Sequence, residues 1–129
     1  MEENVSYKKL FVWKNSYELR RMVYQISLRF PKTEIRRISQ MRDAARSVKQ
    51  NIQEGYSKSL PSYINHLNIA RGSLLELRGD IEDCFDDELI SEQEFRKLLE
   101  LVNKTQYLFK KLIESLNQKK IKEAAHKTL

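Results

Sequence analysis

Apolar residues recur at steps of three and four along most of the chain, the spacing that lines one face of an α-helix. The first run is Val12, Ser16, Leu19, Val23, Ile26 and Phe30, widened by Trp13, Tyr17 and Tyr24. Pro31 closes it, because proline disfavours helical geometry at the residue before it. The second run is Ile38, Met41, Ala45, Val48, Ile52 and Gly55, with Thr33 placed as its cap and Glu34 favourable in its first turn. The third is Tyr63, Leu67, Ala70, Leu74, Leu77, Ile81 and Cys84, with Ser59 as cap and Pro61 tolerated in the opening turn. The fourth is Phe95, Leu98, Val102, Thr105, Phe109, Leu112 and Leu116. It opens on Ser91-Glu92-Gln93-Glu94, a capping-box pattern.

This pattern predicts helices over about residues 10–30, 34–58, 60–87 and 91–117, and no strand. The connections are a few residues long, which makes successive helices antiparallel neighbours. The expected fold is an all-α, up-down-up-down four-helix bundle occupying residues 1–117 as one domain. From residue 118 the heptad lapses into Lys119, Lys120, Lys122 and Lys127, so 118–129 is expected to be a basic tail, frayed or disordered. A second apolar set, Ile35, Ile64, Leu75, Leu99, Leu101, Leu108 and Ile113, exceeds one seam. It broadens the core or is buried between subunits.

Composition narrows the class. The chain has 129 residues, three glycines, two prolines and a lone cysteine, Cys84. One cysteine excludes a disulfide framework and a cysteine-rich zinc module. No apolar run approaches the ~18 residues of a membrane span. The polar start Met1-Glu2-Glu3-Asn4 is no signal peptide. A cytoplasmic protein with no membrane association is expected.

The net charge of +6 is segregated. Residues 1–59 hold 13 basic and 6 acidic side chains, residues 76–100 hold 3 and 10, and residues 101–129 hold 7 and 2. Such segregation can make one positive and one negative surface. RNA and DNA are the obvious partners of the first, and paired helix faces are the bland alternative. On the second helix Arg42, Arg46 and Lys49 stand four and three apart and form one ridge, which Gln53 extends. Arg36 and Arg37 stand at its start, and Arg29 and Lys32 just before it. Arginines on a rigid ridge suit successive phosphates, binding backbone without reading sequence. Tyr7, Trp13, Tyr17 and Tyr56 can stack on unpaired bases if exposed, although helical spacing favours core packing for Trp13 and Tyr17.

Catalytic chemistry finds little support, and no enzyme, cofactor or metal is expected. His66 and His126 have no partners at a recognisable spacing. Glu123-x-x-His126 is a single copy of a unit that di-iron bundles need twice. Cys84 falls on an apolar stripe, as a structural thiol does. The acids Asp80, Asp83, Asp86, Asp87 and Glu88 lack the alternation and glycine turn of a calcium loop. Gly72 and Gly79, seven apart inside a helix where each costs about 1 kcal/mol, point with Ser73 to a tight interhelical or intersubunit contact.

Two stretches carry a family resemblance. Gln40-Met41-Arg42-Asp43-Ala44-Ala45-Arg46-Ser47-Val48 with Asn51-Ile52-Gln53-Glu54-Gly55 is one signature, and Ile69-Ala70-Arg71-Gly72-Ser73-Leu74-Leu75-Glu76-Leu77 is the other. Leu10-Phe11-Val12-Trp13 and Phe30-Pro31-x-x-Glu34 match the flanks. The chain resembles four-helix-bundle proteins of the 23S rRNA intervening-sequence type, also labelled S23 ribosomal protein, over about residues 7–116. The resemblance implies an antiparallel bundle assembling as a ring-like homopentamer, with nucleic-acid binding as its suspected role. The bundle is also similar to the accessory variability protein of diversity-generating retroelements, a basic pentamer that binds nucleic acid and a reverse transcriptase. Carried over by position, Arg42, Ala45, Asn51, Glu54, Gly55, Arg71, Gly72, Ser73 and Glu76 are the family-type residues. They serve the fold and oligomer or the nucleic acid.

The expected function is therefore a non-enzymatic, pentameric bundle binding RNA or other nucleic acid. Arg36, Arg37, Arg42, Arg46, Lys49 and Arg71 would hold phosphate, while Ala45, Asn51, Glu54, Gly55, Gly72, Ser73, Glu76 and Gly79 would serve packing or the oligomer. One alternative is a retroelement accessory that binds a reverse transcriptase and its template. Another is a structural oligomer whose arginines pair with acids of a neighbouring subunit.

Overall fold

The computed structural model describes residues 6–128, and every regular element in that range is helical. The polar start at residues 1–4, read above as no signal peptide, lies outside the described residues. After a short 3₁₀ turn at Ser6–Lys9 come α1 (Phe11–Ser27), a second 3₁₀ turn (Lys32–Glu34), α2 (Ile35–Tyr56), α3 (Leu60–Asp86) and α4 (Glu92–Thr128).

Local chemistry sets the helix ends. α1 stops at Ser27, earlier than Phe30, and its last turn tightens through Arg29 N–H to Ile26 O and Phe30 N–H to Ser27 O. The ring of Pro31 has no N–H with which to continue the ladder. Thr33 caps nothing. The chain enters α2 through the 3₁₀ turn, with Glu34 at the N-cap position and no side-chain cap bond. Ser59 does cap α3, accepting from the Ser62 amide. At α4 the capping box forms in both directions: Glu94 N–H donates to Ser91 Oγ at 3.1 Å and Ser91 N–H to Glu94 Oε1 at 2.9 Å. α3 ends in a Schellman turn. Leu89 N–H bonds Cys84 O, Glu88 N–H bonds Phe85 O, and Glu88 takes the left-handed φ of 60°.

The segment from residue 118, expected to fray, instead continues α4 to Thr128. Ala124, Ala125 and interspersed Lys and Glu are good helix formers, and no glycine or proline interrupts them. Its side chains from residue 118 to 127 are exposed, so it is a helical arm and not part of the core.

Each seam pairs residues in opposite chain order. Trp13 meets Gln53 and Ser27 meets Arg42 between α1 and α2. Asn51 meets His66 and Arg37 meets Asp87 between α2 and α3. Arg78 meets Gln106 and Phe85 meets Phe95 between α3 and α4. Arg29, just past α1, pairs with Glu94 at the start of α4 and closes the bundle. The core is the heptad set, with Leu67, Leu74, Leu77, Ile81, Val102 and Phe109 fully buried. Ser16 and Thr105, polar members of that stripe, satisfy their hydroxyls on the carbonyls of Val12 and Leu101. The second apolar set divides. Ile64 and Ile113 join the core, whereas Ile35 and Leu75 are exposed.

Candidate nucleic-acid interface

The ridge on α2 faces the groove between α1 and α2, and its members have distinct surroundings. Arg42 donates from Nε to Ser27 Oγ at 2.9 Å and lays its guanidinium over the Tyr24 ring, 4.4 Å from the centroid. Lys49 donates to Gln53 Oε1 at 2.8 Å, and the same oxygen accepts from Trp13 Nε1 at 3.0 Å. Arg46 is exposed. From α1 comes a fourth cation, Arg20, which the sequence reading did not select. Burial, then Arg20 and Arg46, push the Lys49 ammonium below its ordinary range. The two coulombic causes place Arg20 and Arg46 near Lys49, three like charges in one neighbourhood. Among the described residues none of Arg20, Arg42, Arg46 and Lys49 forms an ion pair.

The same groove is aromatic. Trp13, Tyr17, Arg20, Tyr24 and Ser27 fall on one stripe of α1 at helical spacing. Trp13 stacks on Tyr17 at 5.3 Å and leans on Tyr7 at 5.7 Å, and Tyr7 in turn meets Tyr56. Trp13 is half-buried, in keeping with its packing role. Tyr17 and Tyr24 are 42% and 44% exposed, so helical spacing did not bury them. Cations and rings therefore alternate along one surface: Tyr17, then Lys49 and Arg20, then Arg46, then Tyr24 beneath Arg42.

The other arginines named from sequence lie elsewhere. Arg37 bridges Glu34 at 2.8 Å and Asp87 at 2.7 Å, tying the start of α2 to the end of α3. Those acids raise its pKa further, first through the Glu34 hydrogen bond. Arg36 is exposed beside a depression it forms with Gln40, Asp80 and Asp83. That is the acidic side of α2. Arg71 is on α3 and donates to Asn68 Oδ1. None of the three joins the α1–α2 groove.

Three of the family-type residues, Asn51, Gly55 and Ser73, serve the seam between α2 and α3. A methyl on Gly55 would lie 2.6 Å from His66 Cβ, so glycine is what lets the helices approach there. His66 is locked in place: Nδ1 meets Asn51 Oδ1 at 3.0 Å and Nε2 meets Lys58 Nζ at 3.3 Å. An ammonium only donates, so Nε2 accepts and Nδ1 carries the proton. Asn51 also donates to Ser47 O, and Ser47 pairs with Ser73 at 2.7 Å. Ala45 is buried, Glu54 is exposed and accepts from Gln50, and Glu76 is exposed. Of the two contacts expected at Gly72 and Gly79, the interhelical one is absent: among the described residues nothing lies within 4 Å of a methyl added at either, which leaves the intersubunit one. Beside them α3 exposes Ile69 and Leu75.

Cys84 is fully buried, donates to Met41 Sδ at 3.3 Å, and is pushed up to about 11 by burial, which makes it an unreactive thiol. Among the described residues no group of His, Cys, Asp and Glu could hold a metal ion, and no helix is long and apolar enough to cross a membrane.

Fold and surface together define a helical bundle that carries one basic, aromatic groove. The chain belongs to the family of 23S rRNA-intervening sequence proteins, whose model matches residues 8–123. A solved structure from Bacteroides thetaiotaomicron VPI-5482, described as a protein with unknown function from the S23 ribosomal protein family, has the same fold. It is 24% identical, with a TM-score of 0.71 over 79% of this chain and 97% of its own. That likeness speaks for fold alone. No curated protein matches the chain.

Proposed function

We propose that this protein is a non-catalytic, homo-oligomeric bundle that binds RNA or other nucleic acid through the α1–α2 groove. The observation that carries the reading is the cluster Arg20, Arg42, Arg46 and Lys49, four cations on one surface with no carboxylate partner among the described residues. Like charges held together at some cost call for an external polyanion. Guanidinium forks on rigid helices suit phosphate oxygens. The groove meets phosphates without reading bases by their edges, so binding is governed by salt more than by sequence.

Assembly is the second half of the reading. The outward face of α3 pairs exposed Ile69 and Leu75 with open Gly72 and Gly79, a surface suited to close contact with another copy. A homopentamer, as the family resemblance implies, would repeat the groove five times and raise avidity with no new contact. The test is charge reversal at Arg42 and Arg46. RNA affinity should fall while the oligomer stays intact. Dissociation of the oligomer would instead assign these arginines to acids of a neighbouring subunit.

A further inference from the structure

The cations explain attraction to any polyanion, but not the two exposed rings set among them. We infer that the groove takes unpaired strands, with bases stacked on Tyr17 and Tyr24 and the intervening phosphates held by Arg20, Arg46 and Lys49. This inference rests on the nucleic-acid reading above and names its substrate class.

Three features carry it. First, both rings are braced and yet open: Tyr17 is stacked on Trp13 and Tyr24 lies under the Arg42 guanidinium, while each stays more than two-fifths exposed. A ring already held in place loses little freedom when a base lands on it. Second, the rings are in register with the charges. Tyr17 and Tyr24 are seven residues apart on one stripe of α1, about 10.5 Å along the axis. Arg20 stands between them, with Lys49 and Arg46 near it across the groove. A strand laid along the groove meets ring, cations and ring in turn. Third, the faces of bases in a duplex are covered by their stacked neighbours, so rings on a straight helix can reach only unpaired bases. Stacking of this kind tolerates any base, since every base has a π-face.

The test uses the full-length protein in fluorescence anisotropy with two probes: an unstructured mixed-sequence RNA strand, and the same strand annealed to its complement. Wild type is expected to bind the strand about tenfold or more tighter than the duplex, because stacking adds only to the strand. Quenching of Trp13, the one tryptophan, should accompany strand binding. The variant Tyr17→Leu/Tyr24→Leu should lose that preference, with strand binding weakened about tenfold more than duplex binding. Tyr17→Phe/Tyr24→Phe, which keeps the rings, should bind as wild type does. Equal wild-type affinity for strand and duplex would overturn stacking and leave nucleic-acid binding standing. So would a phenylalanine variant as weak as the leucine one. If neither probe binds, the nucleic-acid reading falls and this inference with it. The wild-type ratio decides the matter even if a variant fails to fold.

Discussion

Three residues show how the same residue type, or the same local rule, has opposite consequences in different surroundings. Gly55→Ala would press a methyl against His66 Cβ, an atom that no rotamer change can move away. Overpacking of this kind costs about 1–3 kcal/mol, offset by about 1 kcal/mol of helix propensity. A net loss is expected, read as a lower urea midpoint at unchanged slope. Gly72→Ala has open space within the subunit, so a weaker oligomer without a weaker subunit would place Gly72 in a contact between copies. Glu88 holds a left-handed φ that costs a side-chain-bearing residue on the order of 1 kcal/mol, so Glu88→Gly should raise stability by up to about that amount. Glu94 supplies a pH test. The Arg29 hydrogen bond holds its carboxyl below the usual glutamate range. A depressed carboxyl contributes stability above its unfolded pKa and loses it as pH falls through the folded value. Glu94→Gln keeps the capping box but not the charge, so it should flatten this part of the acid limb. For so exposed a pair, the loss at neutral pH should stay under about 1 kcal/mol.

Helices were the legible level of this chain, and the reasons are physical. Periodicity of three and four reports which face is buried, and the heptads of Val12–Phe30 and Phe95–Leu116 did so without reference to any partner. The Arg42, Arg46 and Lys49 ridge was legible for the same reason, since spacing on one helix fixes a shared face. Arg20 was not, because it belongs to another helix and only packing brings it to Lys49. At Tyr17 spacing predicts packing and the ring is exposed, because spacing near an apolar stripe does not tell its rim from its centre. The glycines carried no sign of which had room and which had none. Beyond residue 117 the sequence predicts fraying and the helix continues, because loss of the heptad means loss of a buried face, not loss of helix. Since the side chains from residue 118 to 127 are exposed, truncation after Asn117 should leave the denaturation midpoint nearly unchanged and lower far-ultraviolet helicity. A lower midpoint would mean that the arm is packed.

At the scale of the whole molecule, the basic–acidic–basic chain becomes a bundle with two faces on α2. One, toward α1, is cationic and aromatic. The other, toward α3, sets Arg36 and Arg37 beside Asp80 and Asp83. Asp80 leaves one buried oxygen without a partner among the described residues, and burial, then Glu76 and Asp83, raise its pKa. α3's outward face is the one the proposed oligomer would use. Ile69→Glu/Leu75→Glu should lower the mass found by light scattering while leaving helicity intact. An unchanged mass would move the subunit contact off this face.

The central claim is that the α1–α2 groove binds nucleic acid through its clustered cations, and its most direct test is RNA anisotropy across a salt series. If four cations meet phosphate, log affinity against log salt should have a slope of about −3 for each engaged groove on a single strand. Arg42→Glu/Arg46→Glu should weaken binding more than tenfold and flatten that slope by about half, with the oligomer intact. A flat salt dependence in the wild type, or unchanged affinity in the charge-reversed protein, would contradict it.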